Sequence, residues 1–177
     1  MRRIPGKDAI FLWAETPSTH MTIAFVGVFD PSTTPGGLQG PGDLFTRFQR
    51  LLEERIHLVP QFRQRVVNVP FGLDNPYFVD DPDFDIGYHL RRIALPEPGD
   101  MALLREFVGR LVSRPMDMAK PLWEIYVVEG LADGHWAYVG KAHHVLVDGV
   151  GGNEMLVQLL DLEPTPREVE PPDEPLD

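Results

Sequence analysis

The residue types best able to do chemistry are concentrated in Lys141-Ala142-His143-His144-Val145-Leu146-Val147-Asp148-Gly149-Val150-Gly151-Gly152. Imidazole has an ordinary pKa of about 6.5 and takes a proton at neutral pH without prior activation, so general-base work is the natural task for a histidine here. The preceding run, Trp136 to His143, is rich in β-branched and aromatic residues and reads as a strand. Neighbouring side chains on a strand point to opposite faces, so only one histidine of the pair can enter a given site. His144 shares parity with Trp136, Tyr138, Gly140 and Ala142, and His143 with Ala137 and Val139. Gly140 and Ala142 leave room on the His144 face, suited to a channel or to close packing of another element. Asp148, followed by Gly149, which tolerates positive φ, is expected to lock the ensuing turn by capping it or by pairing with an arginine.

The same residues admit plainer readings. A histidine pair at a strand end also serves as a hydrogen-bonded core feature. Joint metal ligation by His143, His144 and Asp148 is disfavoured by the opposed strand faces and by the lack of an HExxH helix or a remote Cys/His pair. Gly149, Gly151 and Gly152 lack the spacing of a nucleotide-binding loop. Pro121-Leu122-Trp123 reads as the start of a strand with a buried indole, and the acids between Phe78 and Asp85 as a solvated loop with buried aromatics. Arg47, Arg50, Arg55, Arg63 and Arg65 read as a solvated helix face, or as a means of steering an anionic ligand.

Positioning these residues requires a folded domain, and the composition allows one. The chain has 177 residues, 43% hydrophobic and 24% charged, with a net charge of -11 and no cysteine. Nucleic acid is therefore a poor partner, and thiol catalysis, disulfides and cysteine-ligated metals are excluded. Residues 161–177 hold seven acids, one arginine and five prolines, so more than half of the net charge lies on an expected extended linker. Leu44 to Ile56, after Asp43 as N-cap, has helical spacing, as do Leu104 to Val112, ended by Pro115, and Met155 to Leu160. Met21 to Phe29, Gln64 to Val69, Tyr77 to Val79, Leu122 to Val128 and Trp136 to His143 read as strands, and Asp133-Gly134 as a hairpin turn. The expected fold class is α/β (α+β), a mixed sheet flanked by helices. Met1-Arg2-Arg3 is followed by Pro5 and too short an apolar run for a secretion signal, and no stretch reaches the roughly 20 apolar residues of a membrane span.

His143-His144-Val145-Leu146-Val147-Asp148-Gly149 matches the HHxxxDG motif of the CoA-dependent acyltransferase superfamily, with its chloramphenicol-acetyltransferase-like fold. Lys120-Pro121-Leu122-Trp123-Glu124, Val128-Glu129-Gly130-Leu131, Phe62-Arg63-Gln64-Arg65, Val79-Asp80-Asp81, Phe84-Asp85 and Pro98-Gly99 narrow the match. Together they resemble the bacterial wax ester synthase / diacylglycerol acyltransferase family over almost the whole chain to about residue 162. The resemblance implies O-acyl transfer from acyl-CoA to diacylglycerol or a long-chain alcohol. His144 would be the general base, supported by His143, Asp148 and Gly149, with Pro121, Leu122 and Trp123 as a structural motif and no metal. No cofactor is implied beyond acyl-CoA as substrate, and no oxyanion donor is identifiable. Family members have two related domains with the site between them. The expected organisation is thus an N-terminal acyltransferase domain over 1–160 and a linker over 161–177, with a C-terminal half as partner, present as a second chain. Without it, an apolar surface should lie open. The expected location is cytoplasmic, with peripheral contact at the inner membrane face or lipid droplets. Met116-Asp117-Met118-Ala119 departs from the more basic stretch usual before the Pro-Leu-Trp block. The alternatives are another HHxxxDG enzyme, of the condensation or polyketide-associated kind, and a non-catalytic lipid-binding half-domain.

Overall fold

Apolar and aromatic residues alternating from Trp136 to His143 build the central strand of the molecule, β7 (Trp136–His143). The computed structural model describes residues 1–34, 37, 43–147, 155, 157–161 and 167–171. On one edge β7 pairs antiparallel with β2 (Thr22–Phe29), and on the other with β6 (Trp123–Glu129), which itself pairs in parallel with β5 (Leu90–Ala94). The order β2-β7-β6-β5 is a mixed sheet, as the patterning implies. A second, antiparallel sheet is formed by β1 (Arg2–Arg3), β4 (Tyr77–Asp80) and β3 (Gln64–Val67) in the order β1-β4-β3.

Helices cover both faces of the larger sheet. On one face α4 (Met101–Val112) packs Leu104 and Leu111 against Ala137, Val139 and Val128. Asp100 starts this helix by accepting from the N–H groups of Ala102 and Leu103, both at 2.9 Å. Lys141, only 1% exposed, ends it, its Nζ donating to Leu111 O at 3.0 Å and to Arg114 O. On the opposite face α2 (Asp43–Arg55) buries Phe48 and Leu52 in a core shared with Leu122, Ile125 and Ala142. The first helix, α1 (Gly6–Ala14), was not foreseen: its short apolar run has too few turns for a clear period. The four-residue α3 (Ile86–His89) is capped by Asp85, which accepts from Gly87 N at 2.8 Å.

Several expectations need correction. Asp43 is the first residue of α2 and pairs with Arg47 one turn on at 3.0 Å, and Ile56 belongs to a 3-10 turn after the helix. Strand β3 stops at Val67, before Val69 opens another 3-10 turn with Pro70. β5 was missed because Arg91 and Arg92 break its apolar alternation; one lies over the Tyr88 and Tyr126 rings, the other pairs with Glu129 at 2.7 Å. Arg55 is no part of a solvated face: it is 2% exposed, bonded to Leu159 O at 3.2 Å and to Asp161 at 2.7 Å. Asp81, in the loop expected to be solvated, is buried, while Phe78 and Phe84 pack inward as expected. Residues 155 and 157–159 are helical, Leu160 lies past that segment, and Leu156 lies outside the described residues. Asp133 and Gly134 both have positive φ, 59° and 72°, and close the β6–β7 hairpin.

Two packing details determine how the site end of the sheet is held. The room expected beside Gly140 is filled by Phe25 of β2: a Cβ there would lie 1.9 Å from the ring. Below it, Phe62, Trp123, His89 and Phe84 form a continuous ring stack, with successive centroids 4.7, 4.6 and 5.4 Å apart. Trp123 Nε1 donates to Phe62 O at 2.7 Å, and His89 Nδ1 donates to Trp123 O at 2.8 Å. Burial holds His89 below the ordinary histidine range, the carbonyl bond only partly opposing it.

Gly140→Ala should cost about 1–3 kcal/mol through overpacking against Phe25, with most of that recovered in Gly140→Ala/Phe25→Leu, as measured by urea denaturation. Because folded His89 resists a proton that the unfolded chain takes up near pH 6.5, stability should fall as the pH is lowered from 7.5 to 5. The slope should be shallower in His89→Phe; an unchanged slope would exclude His89 as its source.

Candidate active site

The two histidines sit where β7 leaves the sheet, and their backbones face opposite ways. His143 N donates to Leu122 O at 3.0 Å, on the β6 side, and His144 N donates to Met21 O at 2.8 Å, on the β2 side. The main chain is therefore gripped from both edges at the point where its side chains must be aimed. The Pro-Leu-Trp block acquires a direct role: Leu122 carries the carbonyl that holds His143, and Trp123 anchors that strand end in the ring stack.

His143 has no exposed surface. Its Nδ1 accepts the Val145 N–H at 3.0 Å, and its carbonyl accepts the Leu146 N–H at 3.0 Å, so the chain turns sharply around this residue. With Nδ1 used as an acceptor, the neutral ring carries its proton on Nε2, which lies 3.5 Å from Glu15 Oε2. Burial lowers the His143 pKa, and the Glu15 carboxylate pulls the other way.

His144 is only partly buried, and its ring stacks on Phe11 of α1 with centroids 4.7 Å apart and planes 19° apart. The strand ends at His143, so the parity expected if it ran through both histidines does not extend to His144, whose ring is placed by the turn and by Phe11. Asp148 and Gly149, which complete the motif, lie outside the described residues. Pro121, Leu122 and Trp123 are buried at the start of β6, as expected of a structural motif.

Sequence reasoning missed Glu15 and Phe11. Glu15 follows α1 directly, and Thr16 and Thr19 exchange backbone hydrogen bonds in a tight turn that brings Met21 back alongside it. Its Oε1 lies 3.1 Å from His20 Nδ1, and its Oε2 accepts from Met21 N. Burial works against its charge, but these bonds and the attraction of His143 and His20 outweigh it and hold the carboxyl below the usual glutamate range. The only local hint was an acid closing an apolar run, more than a hundred residues from the motif it meets.

A cavity of about 340 Å³ lies beside the turn, lined in part by Val145, Leu146, Val59, Phe78 and Arg2. Among the described residues no helix is long and apolar enough to cross a membrane.

Comparison with known proteins places this geometry. The family model of the wax ester synthase/diacylglycerol acyltransferase catalytic domain matches residues 4–177. A Mycobacterium tuberculosis H37Rv protein that carries the name diacylglycerol O-acyltransferase is 41% identical over 165 residues, covering 93% of this chain and 32% of its own. A second of that name from the same strain is 40% identical over 178 residues, covering 99% of this chain and 36% of its own. The chain thus spans about a third of the length of these relatives. Among solved structures, the wax ester synthase/diacylglycerol acyltransferase of Marinobacter aquaeolei VT8 superposes with a TM-score of 0.71 at 32% identity, over 86% of this chain and 37% of that one. The first condensation domain of the calcium-dependent antibiotic synthetase shares the fold, with a TM-score of 0.68 at 18% identity over 90% of this chain and 36% of that one. Motif, fold and sequence agree, and the chain belongs to the wax ester synthase/diacylglycerol acyltransferase family.

Proposed function

We propose that this chain carries the base-bearing wall of an O-acyltransferase site that moves a long-chain fatty acyl group from acyl-CoA to diacylglycerol or a long-chain alcohol. The observation that carries this reading is the contrast within the histidine pair. His143 is enclosed, its N–H held by Leu122, its Nδ1 by Val145 and its Nε2 3.5 Å from Glu15, whereas His144 is partly exposed just past the end of a strand bonded along both edges. Only His144 is free to meet a substrate.

In this reaction the acceptor oxygen bonds to the thioester carbonyl carbon while its proton passes to His144. The carbon–sulfur bond then breaks, and the imidazolium returns the proton to the departing CoA thiolate, leaving ester and free CoA with no covalent acyl-enzyme. A positioned base contributes about 10²–10⁴-fold, on the order of 3–5 kcal/mol of barrier. Holding the two substrates in line supplies a large further part. Acyl-CoA is a substrate, and the reaction needs no separate cofactor.

The relatives are about three times as long as the matched segment, which supports a second portion of the enzyme closing the site over His144. Ile10 and Trp13 of α1, beside Phe11, are 55% and 62% exposed and suit such a cover. The insolubility of long-chain acceptors in water supports peripheral contact with a membrane face or lipid droplet.

His144→Ala in the whole enzyme should lower transfer from palmitoyl-CoA to diacylglycerol or hexadecanol by about 10²–10⁴-fold. Equal turnover in the variant and the wild type would refute the assignment.

A further inference from the structure

Three elements that touch the histidine pair are joined by one carboxylate. Glu15 stands at the end of α1, one turn after Phe11, the ring that stacks on His144. Glu15 Oε2 accepts the N–H of Met21, and the carbonyl of this same residue accepts the N–H of His144 at 2.8 Å. That oxygen also faces the Nε2 of His143 at 3.5 Å, while Oε1 meets His20 at 3.1 Å. Met21 donates its N–H to Oε2, and the buried His143 Nε2, which has no hydrogen-bond partner, lies 3.5 Å from the same oxygen as an ion-pair contact, so an anionic acceptor suits both. Without it, the N–H of Met21 would lose its acceptor, the His143 ring would lose its neighbouring carboxylate, and α1 would lose its tie to the ends of β2 and β7.

We propose that Glu15 is the positioning residue of this site: by clamping Met21 and His143 it fixes α1 against the end of β7, and so sets the His144 ring on the face of Phe11. The inference rests on the reading of His144 as the base, but its geometric content does not depend on turnover. Glu15 touches no substrate. It acts through the Met21 peptide, which holds the His144 backbone, and through Phe11, which limits the orientations of the His144 ring.

The test follows the ring itself. Stacking on Phe11 shifts the His144 ring protons upfield, and in NMR spectra of the full chain that signal is identified by its absence in His144→Gln and its displacement in Phe11→Leu. Glu15→Ala should abolish the upfield shift while methyl resonances of the β6–β7 core stay in place. In the whole enzyme kcat should fall by about 10- to 100-fold, with KM held within about two-fold. A His144 signal at its wild-type position in a folded Glu15→Ala chain would overturn the proposal.

If Glu15→Ala does not fold, Glu15→Gln decides. The amide keeps an acceptor for Met21 and His143 but removes the charge, so the His144 shift and most of kcat should survive. The groups acting on His143 are Glu15 from the end of α1 and His144 beside it, and Lys141, two residues back, lies in the same Glu15 field. The His143 titration midpoint should therefore drop in Glu15→Gln, and an unchanged midpoint would overturn the proposed contact. Loss of the His144 shift in Glu15→Ala, in an enzyme whose wild type transfers no acyl group, would refute the activity while upholding the positioning role.

Discussion

Everything at this site depends on β7 being hydrogen-bonded along both edges up to its last residue. A strand bonded on one side can twist or slip; one held between β2 and β6 cannot move without breaking two ladders. The constraint continues just past the strand, because the next N–H, that of His144, is still held by Met21. The backbone bonded from both sides thus reaches His144, and the turn at His143–Leu146 is folded around a buried imidazole.

The remaining architecture can be read as support for that ending. The ring stack from Phe62 to Phe84 fixes the start of β6, and with it the Leu122 carbonyl that receives His143. Phe25 fills the space that Gly140 leaves, so the His144 face of β7 is packed beside the site. On the other face, Lys141 directs its buried ammonium to a carbonyl in the last turn of α4 and to that of Arg114 just beyond it, tying the helical layer to the strand two residues before His143. An ionised group is tolerated there because the carbonyls of a helix end carry partial negative charge.

How much of this was legible in the sequence varied with the range of the interactions. The β6–β7 hairpin, β2 and α4 were readable because their signals are local: alternation, a turn dipeptide, a helical period. Parity anticipated that the two histidines would differ, but the strand ends at His143 and the turn after it places His144. What escaped is what forms across long separations in sequence. Phe11 lies in a nine-residue helix with one buried position, Ala9, and Glu15 follows it directly; nothing in their neighbourhood announces a contact with residue 143 or 144. β5 escaped for a different reason, its arginines being satisfied by tyrosine rings and a glutamate on neighbouring elements. At Gly140 the close-packing alternative holds and the channel does not, and an absent side chain could not say that the ring of Phe25 would take its place.

Arg55 belongs to the same class of long-range commitments. Its guanidinium lies in the core, joined to the Leu159 carbonyl and the Asp161 carboxylate, and so ties α2 to the segment beyond the motif. A buried cation tolerates the loss of a carboxylate partner poorly, because desolvation has already been incurred. Drift at either position therefore carries a penalty that is relieved by change at the other. Across the family, residues 55 and 161 should vary as a pair, changing together or not at all, and the acidic segment that seems free to diverge is held at its first residue by a helix a hundred positions earlier.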